Sequence, residues 1–271
     1  MKEYRVVHLT LNLPGPLALS RVAQAGAKVT KIEPPSGDPF ESYYPEWYRE
    51  LHQGQTVVRL DLKNAEQRKK LDAILKDAHL FVTSLRPSAL KNLSLDEASL
   101  KAKFPSLQVV RLLGYPEPHE DHPSHDLTCQ AESGLLSPPS LPRALIADYA
   151  AAERVYATSL LALLKSESEP GLHWTVTLSE MAEEFATPLK KGMTTPEGPL
   201  GGSLPHYDIY PVKDGWIAVA ALEPHFLKKL LTALELEKSS REEFSRVFKT
   251  KTKSEWENIA KTQDIPLSAL R

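Results

Sequence analysis

Three places in this chain of 271 residues combine side chains that can move protons or attack an electrophile. Ser124-His125-Asp126 lies in a long stretch rich in Pro, Ser and His, ahead of Gln130-Ala131-Glu132-Ser133-Gly134. Asp148 follows Leu145-Ile146-Ala147 where an alanine-rich run begins, and Glu223 closes a strand-like run just before Pro224. An imidazole, with an ordinary pKa of about 6.5, transfers protons near neutral pH. A carboxylate near 3.9 is a weak base unless its surroundings exclude water and raise that value. Ionised, it can act as a nucleophile. Each residue also has a structural role open to it. Asp148 can be the N-cap of the following helix, worth about 1 kcal/mol. His125 can be an ordinary loop residue, and Glu223 an acid at a helix N-terminus.

The elements that must position these residues follow from hydrophobic periodicity. Val6 to Leu11 reads as a strand, broken at Pro14-Gly15-Pro16, and Leu17 to Ala25 as a helix stopped by Gly26. Lys28 to Ile32, Thr56 to Leu62, Leu80 to Thr83 and Leu107 to Leu113 read as further strands. Between them, Asn64 can cap a helix reaching about Lys76, and Ser94 can cap a shorter one. Strands alternating with helices imply parallel pairing through right-handed crossovers, so the fold class is α/β with a doubly wound, Rossmann-like parallel sheet. Ligands of such sheets bind beyond the carboxyl ends of the strands, which directs attention to the loops at 12–16, 33–38, 63–64, 84–87 and 114–126. The stretch 116–142 reads as irregular, and Ala150 to Leu164 as a strong helix. A second, smaller α+β domain follows, with a hairpin from Tyr207 to Ala221 turning at Lys213-Asp214-Gly215 and a helical stretch from Leu227 to Leu270. The expected division is a large domain with linker helix over 1–175, a small domain over 176–250, and a closing segment over 251–271.

Composition narrows the function classes. A net charge of −2 lacks the basic excess of a protein that coats nucleic acid. A lone cysteine, Cys129, cannot form an internal disulfide, and no Cys/His spacing suits a metal. The N-terminal apolar run is broken too soon for a signal peptide or membrane span, so a cytoplasmic location is expected. A nicotinamide or ATP enzyme would show a Gly-rich phosphate loop after the first strand. Pro14-Gly15-Pro16 stands there instead, and proline has no N–H to offer.

The ordered set of short matches carries more than any one of them. These are Leu9 to Pro16; Gly26-Ala27-Lys28-Val29-Thr30-Lys31-Ile32-Glu33-Pro34-Pro35-Ser36-Gly37-Asp38; Val58 to Lys63; Leu85-Arg86-Pro87; Gly114-Tyr115; His125-Asp126 with Gln130-Ala131 and Ser133-Gly134; Ala147-Asp148; and Glu223-Pro224. In this order they resemble the class III coenzyme A-transferase family, which includes formyl-CoA transferase, carnitine-CoA transferase and α-methylacyl-CoA racemase. The resemblance is closest to the racemase-like branch. It implies that Asp148 is the key acid, a nucleophile in transferases and a proton-transfer residue in racemases. It implies further that His125 marks the racemase-like branch and that Glu223 supports it. Leu60, Lys63, Ser84, Leu85 and Arg86 would hold the nucleotide end of coenzyme A. An acyl-CoA thioester substrate, no cofactor beyond coenzyme A, and an interlocked homodimer are implied with the rest.

Three functions stay open on this resemblance: racemase-like proton transfer at the α-carbon of a 2-methylacyl-CoA, coenzyme A transfer through an aspartyl-CoA intermediate on Asp148, and a catalytically weakened coenzyme A-binding member. The last is raised by departures from the family pattern. Tyr149-Ala150-Ala151-Ala152 follows Asp148 where racemases usually carry glycines, and Ala144 stands where asparagine is frequent. Ser124 replaces a common glycine, Cys129 an aromatic residue, and Leu112-Leu113 more polar residues. These exchanges predict a narrower substrate pocket or a backbone less able to approach the thioester. The stretch 256–271 resembles only the start of the family's terminal segment.

Overall fold

The computed structural model describes residues 3–271, which separate into one compact unit ending at Ala186 and a second, Thr187–Arg271. The first unit runs β1 (Arg5–Leu9), α1 (Pro14–Gln24), β2 (Lys28–Glu33), α2 (Pro39–Tyr43), α3 (Pro45–Leu51), β3 (Thr56–Arg59) and α4 (Ala65–Lys76). It continues with β4 (Leu80–Thr83), α5 (Pro87–Asn92), α6 (Glu97–Lys103), β5 (Gln108–Leu113), α7 (Asp126–Glu132), α8 (Ile146–Lys165), β6 (His173–Thr177) and α9 (Leu178–Phe185).

Its six strands form one parallel sheet in the order β3-β2-β1-β4-β5-β6. Every residue of β4 is buried, the pattern of a strand covered on both faces. Adjacent strand residues point to opposite sides, so Val6, Val82 and Val110 pack with α1, α8 and α9 while Val7, Phe81 and Val109 pack with α4, α5 and α6. Each such buried side chain contributes roughly 1.5–3 kcal/mol. From β1 the chain winds outward through β2 and β3, then returns to β4 on the other side. The switch point lies between β1 and β4, where the loops that follow the two strands part and leave a crevice.

Local sequence explains most helix limits. Pro14 occupies the first turn of α1, where its missing N–H costs nothing. A Cβ at Gly15 would collide with the Thr10 side chain, so only glycine lets the helix begin so close to β1. The Asn64 side chain caps α4 by accepting from Glu66 N–H (3.0 Å) and Gln67 N–H (3.2 Å). The cap of α6 is Asp96 rather than Ser94, because the Asp96 carboxylate takes the Ser99 amide (3.2 Å) while Ser94 sits in the left-handed region at φ 50°.

The second unit contains α10 (Thr187–Lys190), β7 (Tyr207–Val212), β8 (Gly215–Ala220), α11 (Pro224–Leu234), α12 (Arg241–Phe248), α13 (Lys253–Gln263) and β9 (Leu267–Ala269). Its antiparallel sheet has the order β7-β8-β9, with the hairpin turning at Lys213-Asp214 and Gly215 at φ 147°. Tyr210, Ile217, Leu230, Phe244, Phe248 and Trp256 form its core.

The division departs from the one read in the sequence. The expected boundary at 175/176 cuts β6, whose parallel pairing with β5 (Val109 with His173 through Leu113 with Thr177) makes it part of the large sheet. The stretch 251–271 is not a separate segment here: α13 packs its Trp256 into the second core, and β9 adds an edge to β8. Within 116–142, read as irregular, the chain forms α7. Among the described residues, no helix is long and apolar enough to cross a membrane.

Candidate active site

Asp148 sits in the first turn of α8, at its third residue. The N-cap is Leu145, which offers no side-chain bond, so the capping role open to Asp148 is not the one it fills. Asp126 caps the helix from α7 instead. Its Oδ1 accepts from the Ala147 N–H (2.8 Å) and the Asp148 N–H (3.2 Å), and its Oδ2 from Gln130 Nε2 (2.6 Å). Gln130 Nε2 also donates to the Ala144 carbonyl (3.0 Å), closing a buried knot around the start of α8. The Ala147 and Asp148 amides are thereby engaged by Asp126 and are not open to a developing enolate oxygen.

The Asp148 side chain makes no hydrogen bond of its own among the described residues. Burial, reinforced by the nearby charge of Asp126, pushes its carboxyl up to about 7.

His125 is the N-cap residue of α7. Its backbone is pinned twice to one side chain: its N–H donates to Thr128 Oγ1 (3.1 Å), and that hydroxyl donates to the His125 carbonyl (2.8 Å). The residue itself is exposed. A rigid turn thus presents its ring at the surface.

Asp148 and His125 line the same cleft, of about 250 Å³, together with Asn12, Ser84, Arg86, Glu120 and His122. Its floor is the switch point, with Leu11 from the loop after β1 and Ser84 from the loop after β4. A second cleft of about 430 Å³ is lined by Leu60, Lys63 and Leu85 with Ile32, Pro34 and Pro35, and Leu11 belongs to both. The five residues expected to hold coenzyme A thus divide between two clefts: Ser84 and Arg86 with Asp148, and Leu60, Lys63 and Leu85 in the larger, more apolar one. Glu223 belongs to the second unit, where it is the exposed N-cap residue of α11.

The departures near Asp148 have unequal consequences. Ala150, Ala151 and Ala152 are buried in the core that α8 shares with α1, and Tyr149 lines a separate groove with Trp47 and Phe185. None of the four lines the cleft, so they do not narrow it. Leu112, Leu113 and Ser124 do line it. Ser124 packs directly over Gly114, where any Cβ would collide with its hydroxyl. Cys129 is buried and its thiol is pushed up to about 11 by burial and the charge of Glu132, which keeps it unreactive.

Beside this site lies a charge cluster that periodicity did not single out. Lys31 is fully buried and donates to Asp38 Oδ2 (2.6 Å) and His52 Nε2 (2.9 Å), with Glu33 Oε1 at 3.0 Å. Asp38 Oδ1 in turn accepts from the Asn12 N–H (3.0 Å), which fixes a cleft residue held in the left-handed region at φ 61°. The signal was present in β2, where two opposite charges stand two apart and so share one face of an inner strand.

The whole length, residues 1–271, matches CoA-transferase family III. The chain is 28% identical to cinnamoyl-CoA:phenyllactate CoA-transferase of Clostridium sporogenes, over 97% of this chain and 76% of that one. It is 26% identical to the α-methylacyl-CoA racemase of Homo sapiens, over 93% of this chain and 72% of that one. The fold is also that of a solved hypothetical protein from Mycobacterium tuberculosis, with a TM-score of 0.88 at 21% identity, over all of this chain and 85% of that one. An α/β sheet with its cleft at the switch point and a match over the full length lead to one conclusion: the chain belongs to CoA-transferase family III, a family of enzymes that includes both CoA-transferases and acyl-CoA racemases.

Proposed function

We propose that this enzyme inverts the α-carbon of a 2-methylacyl-CoA thioester by 1,1-proton transfer between Asp148 and His125. The observation that carries the reading is a single cleft lined by both residues, with the Asp148 carboxyl pushed up to about 7, in the range where imidazoles ordinarily titrate. Inversion needs one group to remove a proton from one face of the carbon and another to return a proton to the opposite face. Groups of similar proton affinity can exchange those roles at neutral pH, whereas an ordinary aspartate would rest ionised and poor as an acid. The thioester makes the step accessible because its enolate spreads charge onto the carbonyl oxygen.

In this reading the thioester lies at Asp148, and the nucleotide end of coenzyme A extends past Leu11 and Leu85 into the larger cleft toward Lys63. Glu223 is given the task of supporting His125. The working form is an interlocked homodimer in the cytoplasm, and the reading calls on no cofactor beyond coenzyme A. Light scattering on the purified protein tests the dimer, and a monomeric mass removes it.

A second reading is favoured by relatives whose names are those of CoA-transferases, at 28% and 29% identity. Asp148 would attack the thioester to form an acyl anhydride. Coenzyme A thiolate would then attack the anhydride at the Asp148 carbonyl, releasing the first acyl group as its carboxylate and leaving an aspartyl-CoA thioester; a second carboxylate would run the two steps in reverse, leaving as the new CoA thioester and freeing Asp148. One experiment separates the two. A single enantiomer of a 2-methylacyl-CoA is incubated with the enzyme in deuterated water, and its α-proton is followed by NMR. Proton transfer predicts wash-out accompanied by inversion, and the inversion is lost in both Asp148→Ala and His125→Ala while coenzyme A binding persists. A retained α-proton, with coenzyme A moving to a free carboxylic acid, would establish the transferase reading instead.

A further inference from the structure

The purpose of Asp126 is not explained by capping alone. A helix of 20 residues presents a positive N-terminus, and an aspartate in its first turn is ordinarily ionised by that field. Here the amides of Ala147 and Asp148 are already bound to a different carboxylate, 5% exposed and held in place by Gln130. We propose that Asp126 is a positioning residue for the reaction: one oxygen holds the first-turn amides that orient Asp148, and its charge answers the helix end that would otherwise ionise Asp148. The inference rests on the proton-transfer reading, because only there must Asp148 carry a proton at working pH.

The surroundings support it. Of the charged and titratable side chains that line the cleft, Arg86 comes from the loop after β4, while Glu120, His122 and His125 come from the loop before α7. Asp126 is the group whose charge adds to burial in keeping the proton on Asp148. His125 and Asp126 are consecutive, so one turn of backbone delivers both the imidazole and the carboxylate that governs its partner.

The neighbouring amide makes the test feasible. Among the described residues Gln130 Oε1 is buried without a partner, while its Nε2 faces Asp126. In Asp126→Asn a flip of the Gln130 amide turns that oxygen toward the new NH₂ group, at the cost of the bond to Ala144. Asp126→Ser provides a second uncharged acceptor with no new NH₂ group to place. The measurement is the titration of the Asp148 carboxyl carbon by ¹³C NMR in the full-length protein, assigned with Asp148→Asn and needing no substrate. Both variants are expected to lower the midpoint by about one pH unit or more, with a lowered but still cooperative melting transition. Asp126→Glu, which keeps the charge, is expected to hold it near the original value. Folded variants that titrate like the parent would overturn the proposal even if turnover fell. A shifted midpoint in a protein that washes out no α-proton would uphold the role of Asp126 and remove the proton-transfer reading.

Discussion

Two carboxylates of the first unit, both withdrawn from water, have opposite fates. Burial by itself would raise Glu33, but hydrogen bonds from Tyr48 (2.6 Å) and Lys31, the Lys31 charge, and Arg59 overturn it and hold the carboxyl below its ordinary value. Asp148 has burial too, but its influential neighbour is another carboxylate, and it rises to about 7. Desolvation is common to both. What differs is the sign of the charge within reach, and that turns one acid into a structural anion and the other into a proton carrier. A buried carboxylate is thus no functional signal until its partners are known.

The contrast is broken most severely at its cation. Lys31→Met leaves Asp38 buried without its cation and Glu33 with Arg59 alone, and should cost about 3–5 kcal/mol at neutral pH, read by urea or thermal melting. The sign on the acid side follows from the lowered Glu33: its contribution is full above the unfolded pKa and disappears as pH falls through the folded one. The gap between parent and variant should therefore shrink below about pH 4.

Tyr48→Phe is the next step down. It removes one charge-assisted bond to Glu33 and leaves Lys31 in place, so a loss of about 2 kcal/mol is expected.

Asp148→Asn should move stability the other way. A raised folded pKa means that the native state keeps a proton which the unfolded chain has released, so the parent loses stability as pH climbs from about 4 to 7. The variant escapes that loss. Discounted for partial access to water, the gain is on the order of 1–2 kcal/mol at pH 8 and close to nothing at pH 4, measurable as paired melting curves. A variant no more stable than its parent at pH 8 would dissolve the contrast between the two acids.

The smallest effect on stability belongs to His125→Ala. The residue is exposed and the turn is held by Thr128 through the backbone, so the change should stay within about 1 kcal/mol. A much larger loss would make His125 a structural residue.

The candidate site was readable where chemistry follows chain order. Loops after parallel strands gather at one edge of the sheet, so His125, Ser84 and Arg86 could be expected in one neighbourhood from the alternation alone, while Asp148 joined them through the family resemblance. Asp126 was visible only as the neighbour of His125, because its role depends on α7 lying against the start of α8, 21 residues further on. Asn12, Glu120 and His122 line the cleft without any pattern of their own. The alanines after Asp148 read as obstacles to substrate because spacing does not reveal which side of a helix faces a cleft; packing against α1 takes them away from it.

Periodicity, caps and turn residues by themselves determined the alternation that implies a parallel sheet, the start of α4 at Asn64 and the 213–215 hairpin. These depend on interactions between residues close in the chain, whose geometry the local sequence dictates. Tertiary structure decided where the units divide, since β6 is claimed by hydrogen bonds to a strand some 60 residues earlier. It also decided the charge state of Asp148. A pKa records the water, dipoles and charges around a group, and at Asp148 those come from a core and a carboxylate that only the folded chain brings within reach.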